Sequence, residues 1–134
     1  MIEQELLRKL WNGRQTVEGL EPDEFRLDPC NALIEWSKYG DPLDDNGWVI
    51  DNIVPRAMLK GAPEEEIDDP VNLRPMHYKN NASKGDDFPI YSTKVKYVEG
   101  KNEMIDDWYE VNEELKQTLI EKYSKYFEGN DIES

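Results

Sequence analysis

The sequence predicts a small α+β domain in which two short strands in the middle of the chain lead into a helix, with further helices at both ends. Three observations support this prediction. Apolar residues recur at helical spacing near both ends, a β-rich run stops at a proline in the middle, and 134 residues suit one domain. We therefore expect residues 1–134 to form a single domain.

The N-terminal third predicts one short helix and then mostly loop. The helix spans residues 2–12 and ends at Gly13. Residues 14–31 are interrupted by glycine and proline, which favours a loop, and residues 32–36 are a candidate strand. The apolar side of the helix is formed by Ile2, Leu6, Leu7, Leu10 and Trp11.

The middle of the chain predicts two strands and a second helix. Residues 48–54 are rich in β-branched side chains and precede a proline. After a polar loop over residues 57–71, residues 72–76 form a short extended segment. A helix is predicted over residues 77–84, because Gly85 then provides a natural helix end.

The last part of the chain predicts a long amphipathic helix over residues 103–127, with a frayed tail over residues 128–134. Glutamate and lysine fill its polar side. We expect the helix either to pack on its own domain or to self-associate. Its apolar side recurs every three or four residues and consists of Met104, Trp108, Val111, Leu115, Leu119, Tyr123 and Tyr126.

The composition is strongly acidic, with 30 Asp and Glu against 16 Lys and Arg and a net charge of −14. This argues against a general nucleic-acid binder, because neutralising phosphates requires a basic face. A domain with such a charge is attracted instead to basic clefts. The acidity therefore makes a basic protein a candidate partner, in addition to DNA.

The chain lacks the features of a secreted or membrane protein. Its single cysteine, Cys30, excludes an internal disulfide framework. No apolar run reaches membrane-spanning length, and the first residues lack the basic start of a signal peptide. We expect a soluble cytoplasmic protein with no membrane partner.

Three residues in the middle of the chain form a candidate metal site. Asp51 ends a predicted strand, His77 is the only histidine, and Asn81 shares a helix face with it. Carboxylate, imidazole and amide groups together suit one divalent ion, Mg²⁺, Mn²⁺ or Zn²⁺. Structural roles also fit, because a histidine at a helix start is often a cap and Asp51 is able to cap a turn.

This stretch resembles the HNH endonuclease family, whose site is a ββα-metal hairpin and helix. The lead-in over residues 25–32 and the pair Tyr39-Gly40 are similar to a small bacterial and phage subgroup. The resemblance covers about residues 25–88. The matching positions are Trp48, Asp51, Pro55, Asn72, Leu73, Pro75, His77, Asn81, Lys84 and Gly85.

The resemblance implies a role for each matching polar residue. Asp51 and His77 correspond to metal ligands, and Asn81 to a weaker third ligand or a support for the helix. Asn72 corresponds to a structural asparagine that pins the loop between the strands and the helix. Asn52 stands where active members carry the histidine that takes a proton from water. An amide does not accept a proton near neutral pH, and losing a general base costs about 10²–10⁴-fold in rate.

The predicted function is therefore that of a nuclease-like protein of the HNH type with impaired metal-dependent phosphodiester hydrolysis, acting mainly by binding. One alternative is a slow Mg²⁺- or Mn²⁺-dependent DNA endonuclease in which Asn52 orients the water. Another is an acidic protein that occupies a nucleic-acid-binding surface of another protein. A candidate basic rim for phosphate contacts, which solvated surface charge explains equally well, consists of Arg56, Arg74, Lys79 and Lys84.

Overall fold

A computed structural model describes residues 2–127, which fold into a mixed α/β structure of four helices and three two-stranded antiparallel sheets. No helix among these residues combines the length and apolarity needed to cross a membrane. The helices are α1 (Gln4–Asn12), α2 (Glu64–Ile67), α3 (Tyr78–Lys84) and α4 (Glu113–Lys122). The strands are β1 (Phe25–Leu27), β2 (Leu33–Glu35), β3 (Trp48–Asn52), β4 (Leu73–His77), β5 (Ile90–Val98) and β6 (Lys101–Glu110).

A tryptophan cluster fixes the N-terminal helix to the first strands. The rings of Trp11, Trp36 and Trp48 have centroids 5.1 to 5.9 Å apart. The buried indole N–H groups of Trp11 and Trp48 donate to the backbone carbonyls of Pro22 and Glu35. Trp11 and Trp48 are thus buried without leaving their indole N–H groups unpaired, which is the usual requirement for tryptophan in a core.

The central unit of the fold is the antiparallel pair β3–β4 followed directly by α3, as the sequence predicts. Asp51 lies opposite Arg74, and Trp48 lies opposite His77. The helix begins at the residue after β4 and ends at Gly85, whose φ of +53° is a backbone conformation that favours glycine.

Two apolar clusters meet along the central hairpin. The first contains Trp48, together with Trp11 of α1 and Ile34 of β2. The second begins with Ile53 and Val54, directly after β3. Asp51, one residue before the end of β3, is buried next to the second cluster in the chain. The second cluster also includes Leu59, Met76, Tyr91, Val111, Leu119 and Tyr123.

The predicted helix over residues 103–127 is wrong in its first half, which forms strand β6. A two-residue turn at Glu99 and Gly100, with φ values of +46° and +98°, folds β6 back on β5. The register of the β5–β6 pairing shifts at a bulge between Thr93 and Val95, and this interrupts the regular alternation of side chains along β6. The apolar residues there consequently recur at a spacing that imitates a helix.

The second half of that prediction is correct, and α4 starts where the sequence provides a cap. The Asn112 side chain accepts a hydrogen bond from the backbone N–H of Leu115 at 2.9 Å. Leu119 and Tyr123 are fully buried. The helix thus packs on its own domain, and the predicted frayed tail over residues 128–134 lies outside the described residues.

Candidate functional site

The candidate site is centred on the carboxylate of Asp51, which is 3% exposed where β3, β4 and α3 meet. Its Oδ2 accepts a hydrogen bond from Arg74 Nε at 3.0 Å. Its Oδ1 lies 3.3 Å from Lys84 Nζ and accepts from Asn81 Nδ2 at 3.2 Å. Three donors, two of them charged, therefore surround one buried carboxylate.

The two cations beside Asp51 are themselves inside the protein. The side chain of Lys84 is fully buried, and its Nζ also donates to the carbonyl of Asn52 at 3.1 Å. Burial lowers the pKa of Lys84, although Asp51 opposes this effect. Burial also works against the charged form of Arg74, but Asp51 favours that form and the pKa of Arg74 is raised overall.

His77 lies on a different face of the hairpin from Asp51. His77 is paired with Trp48, and Asp51 lies three residues further along the same strand as Trp48. Successive side chains on a strand alternate between faces, so residues three apart point to opposite faces. His77 Nδ1 accepts from the backbone N–H of Lys79 at 3.0 Å, so the side chain caps α3. His77 Nε2 lies 2.8 Å from the carbonyl of Asp45, so this nitrogen carries the proton.

Burial lowers the pKa of His77, with the positive charge of Lys79 acting in the same direction. The hydrogen bond to the Asp45 carbonyl and the nearby Asp28 carboxylate oppose the shift. A neutral imidazole also suits the cap, because protonation of Nδ1 removes the lone pair that accepts from Lys79.

The two other asparagines of the predicted site hold the loop that follows β3. Asn52 is half-buried, and its Nδ2 donates to the carbonyl of Ile67 and to Asp68 Oδ1, both at 3.2 Å. Asn72 is fully buried. Its Oδ1 accepts from Val54 N at 2.7 Å, while its Nδ2 donates to the carbonyls of Val54 and Ile67. Both side chains thus connect β3 to the loop before β4.

The four basic residues of the candidate rim do not share one surface. Arg74 and Lys84 lie inside as counter-ions of Asp51. Arg56 is exposed and paired with Glu64, and Lys79 is exposed beside Met104. The structure therefore leaves only two of the four at the surface, and one of these is already paired with a carboxylate.

Two residues that the sequence reasoning did not select connect the site to the rest of the fold. Asp28 is buried and accepts from four donors: the backbone N–H groups of Cys30, Ala32 and His77, and the side chain of Asn80. The Asp28-Pro29 pair marks a turn in the sequence. No sequence signal indicates that the same carboxylate also reaches His77, 49 residues later.

Asn80 fixes α3 against β5 in the manner of a peptide group. Its Oδ1 accepts from the backbone N–H groups of Lys94 and Val95, and its Nδ2 donates to the carbonyl of Val95 and to Asp28. Asn102 of β6 acts similarly, because it bonds both backbone groups of Leu33. Asn80 and Asn81 are neighbours of the same residue type, and only their positions on the helix direct one to β5 and the other to Asp51. The sequence therefore does not separate their roles.

The divalent ion that the HNH resemblance implies does not fit these residues as they are arranged. Asp51 and Asn81 touch, but both nitrogens of His77 are already engaged on another face. Asp51 already faces two buried cations, which repel a metal ion. Among residues 2–127, no group of three His, Cys, Asp or Glu side chains is arranged to hold a metal.

Comparisons with known proteins do not identify a family for this chain. No family model, curated protein or solved structure matches it. The resemblance to HNH endonucleases therefore rests on the motif residues alone.

Replacing the central carboxylate tests the ion cluster. We expect Asp51→Asn to lower the free energy of unfolding by about 3–5 kcal/mol, because it leaves Arg74 and Lys84 buried without their counter-charge. Urea denaturation measures this change. The matched control is Asp106→Asn, which removes an exposed partner of Lys94 and should have little effect. Equal effects of the two substitutions on the free energy of unfolding would contradict a stabilising role of the buried ion cluster.

The lowered pKa of His77 predicts a pH dependence of stability. In the unfolded chain the His77 imidazole binds a proton near pH 6.5, whereas in the folded chain it does so only at lower pH. The free energy of unfolding therefore decreases as pH falls from 6.5 towards the folded pKa of His77. We expect His77→Gln to flatten the slope of unfolding free energy in this window. Asn112→Ala, which removes another helix cap without a titrating group, should lower stability equally across it. An unchanged slope in His77→Gln would refute the assignment.

Proposed function

We propose that this protein is a nuclease-like ββα domain that no longer cleaves phosphodiesters efficiently and acts by binding a partner. The single observation that carries the proposal is the pairing of Asp51 with Arg74 and Lys84. The resemblance assigns a metal ion to this carboxylate. The chain supplies two cations of its own there instead.

The buried cations Arg74 and Lys84 cannot perform the functions that a metal ion has in hydrolysis. A metal ion holds a water molecule and lowers its pKa, whereas ammonium and guanidinium groups donate hydrogen bonds without activating a nucleophile. Lys84 Nζ is also fixed by the Asn52 carbonyl at 3.1 Å. Binding a metal ion at Asp51 thus requires displacement of the buried Lys84 ammonium, which contacts both Asp51 and the Asn52 carbonyl.

The residue at the general-base position supports the same conclusion. Asn52 is an amide, which cannot take a proton from water near neutral pH. Its Nδ2 donates to Ile67 and Asp68 and so belongs to the loop framework. The alternative of a slow endonuclease in which Asn52 orients the attacking water has less support, because this side chain already has a structural role.

The charge distribution favours a basic protein surface over DNA as the partner. Within residues 2–127, burial removes three cations from the surface, Arg74, Lys84 and Lys116, but only two carboxylates, Asp28 and Asp51. The accessible surface of these residues is therefore slightly more acidic than their own net charge. Such a surface repels phosphates and attracts basic clefts.

Nicking of supercoiled plasmid tests the loss of catalysis. We expect the parent protein to show no nicking that depends on Mn²⁺, and Mn²⁺ to leave its melting temperature unchanged. Asn52→His restores only the base, so we expect it to remain inactive because Lys84 still occupies the carboxylate. Gain of cleavage in Asn52→His would locate the defect in the base alone. Mn²⁺-dependent nicking by the parent, lost in Asn81→Ala, would overturn the proposal.

Fluorescence anisotropy distinguishes the two classes of partner. At about 20 mM salt, where charge attraction is strongest, we expect a labelled Lys/Arg-rich peptide to bind and a DNA duplex not to bind. Binding of the peptide should weaken as salt rises. A peptide of the same length with no net charge serves as the control. Preferential binding of the duplex would instead indicate a nucleic-acid partner.

A further inference from the structure

A cleft of about 560 Å³ lies between the N-terminal helix, the central hairpin and the start of α4, and neither Asn52 nor Asn81 lines it. Its volume falls in the range of about 300–1,000 Å³ that is usual for small-molecule sites. Much of its lining is apolar or aromatic, including Leu10, Ile53, Leu73, Tyr91, Tyr109 and Val111.

The cleft concentrates positive charge in an otherwise acidic protein. Lys9, Arg14 and Arg74 all line it, and Glu110 is the only acidic residue among its lining residues. Glu110 is already paired with Lys116, whose Nζ lies 2.9 Å from Glu110 Oε2. The cleft therefore has an excess of cations within a chain whose net charge is −14.

These cations retain unused hydrogen-bonding capacity. Arg74 is 8% exposed, and its Nη2 atom is buried without a hydrogen-bond partner. Arg14 donates through Nε to the carbonyl of Leu27 at 3.1 Å. Among the described residues, neither Lys9 nor Arg14 has a carboxylate within salt-bridge distance. An acceptor that bears negative charge is the group missing from this arrangement.

The electrostatics agree with this geometry. Burial is the main cause that lowers the pKa of Arg14, and the positive charge of Arg74 lowers it further, whereas Asp28 opposes the shift. The two guanidinium groups thus repel one another. An oxyanion beside them relieves this repulsion and accepts charge-assisted hydrogen bonds.

We propose that this cleft binds a small organic oxyanion, a phosphate or carboxylate attached to an apolar or aromatic body. The oxyanion pairs with Arg14 and Arg74, and the body packs against the apolar lining. Arginine suits this role because its planar fork matches both oxyanions. The proposal shares Arg74 with the Asp51 cluster, but it uses neither Asn52 nor a metal ion.

Calorimetric titration of the full chain with three matched probes tests the proposal. These are 1-naphthyl phosphate, 1-naphthoate and neutral 1-naphthol, which share one ring system. We expect at least one anion to bind saturably and about tenfold or more tightly than naphthol, because a hydrogen bond to a charged group is worth more than a neutral contact. The tighter of the two anions identifies the oxyanion class.

Variants locate the binding site. Arg14→Gln should weaken anion binding about tenfold or more while leaving naphthol binding unchanged. The control Lys60→Gln removes the same charge from an exposed residue that does not line the cleft, and it should have little effect. Arg74→Lys keeps a cation beside Asp51 but lacks the fork, and it should also weaken anion binding.

A measurement on the parent protein avoids any folding defect of the Arg74 variant. The NMR signals of the Arg74 guanidinium should shift on titration with the anion and saturate at the calorimetric Kd. The proposal is overturned if neither anion saturates by about 5 mM, or if naphthol binds as tightly as both anions. It is also overturned if Arg14→Gln has no effect or the Arg74 signals stay unmoved while an anion binds.

Discussion

A buried carboxylate determines how the central part of this protein is assembled. Asp51 is buried, and an isolated negative charge inside a protein is very costly. Its compensation comes from two different elements, with Arg74 on the paired strand and Lys84 at the end of the following helix. The strand pair and the helix are therefore tied together by charge as well as by packing, and a change in one alters the environment of the others.

In the proposed function, the same cluster puts cations of the chain itself where the resemblance implies a metal ion. A metal ion exchanges with solvent and brings its own water molecules into a site. Arg74 and Lys84 are attached to the chain, so these cations do not exchange with solvent. In the proposed function, the hairpin and helix serve as a rigid frame and the acidic outer surface binds the partner.

Much of the central hairpin and helix could be predicted from the sequence, because local signals specify them. The glycine at position 85 marks the observed helix end, and the β-rich run before Pro55 contains the observed strand, which ends at Asn52. The pairing of Asp51 with Arg74 could not be predicted in the same way. About twenty residues separate the two strands, so no short turn fixes their register.

Other features depend on tertiary contacts that sequence patterns do not encode. A lysine is almost never fully buried, so nothing local distinguishes Lys84 from a surface residue. His77 fits a ligand and a helix cap equally well until the partners of both ring nitrogens are known. In β6 a bulge gives an edge strand the apolar spacing of a helix, and only the pairing with β5 reveals the difference.

The asparagine side chains that join the elements have a consequence for how the molecule responds to acid. Asn72, Asn80 and Asn102 each use both the oxygen and the nitrogen of one amide, and so behave as additional peptide groups inserted between distant segments. An amide does not titrate across the range in which carboxylates and imidazoles do. The protein thus combines a framework of amide cross-links that does not titrate with one capping imidazole that does, that of His77, whose pKa burial lowers.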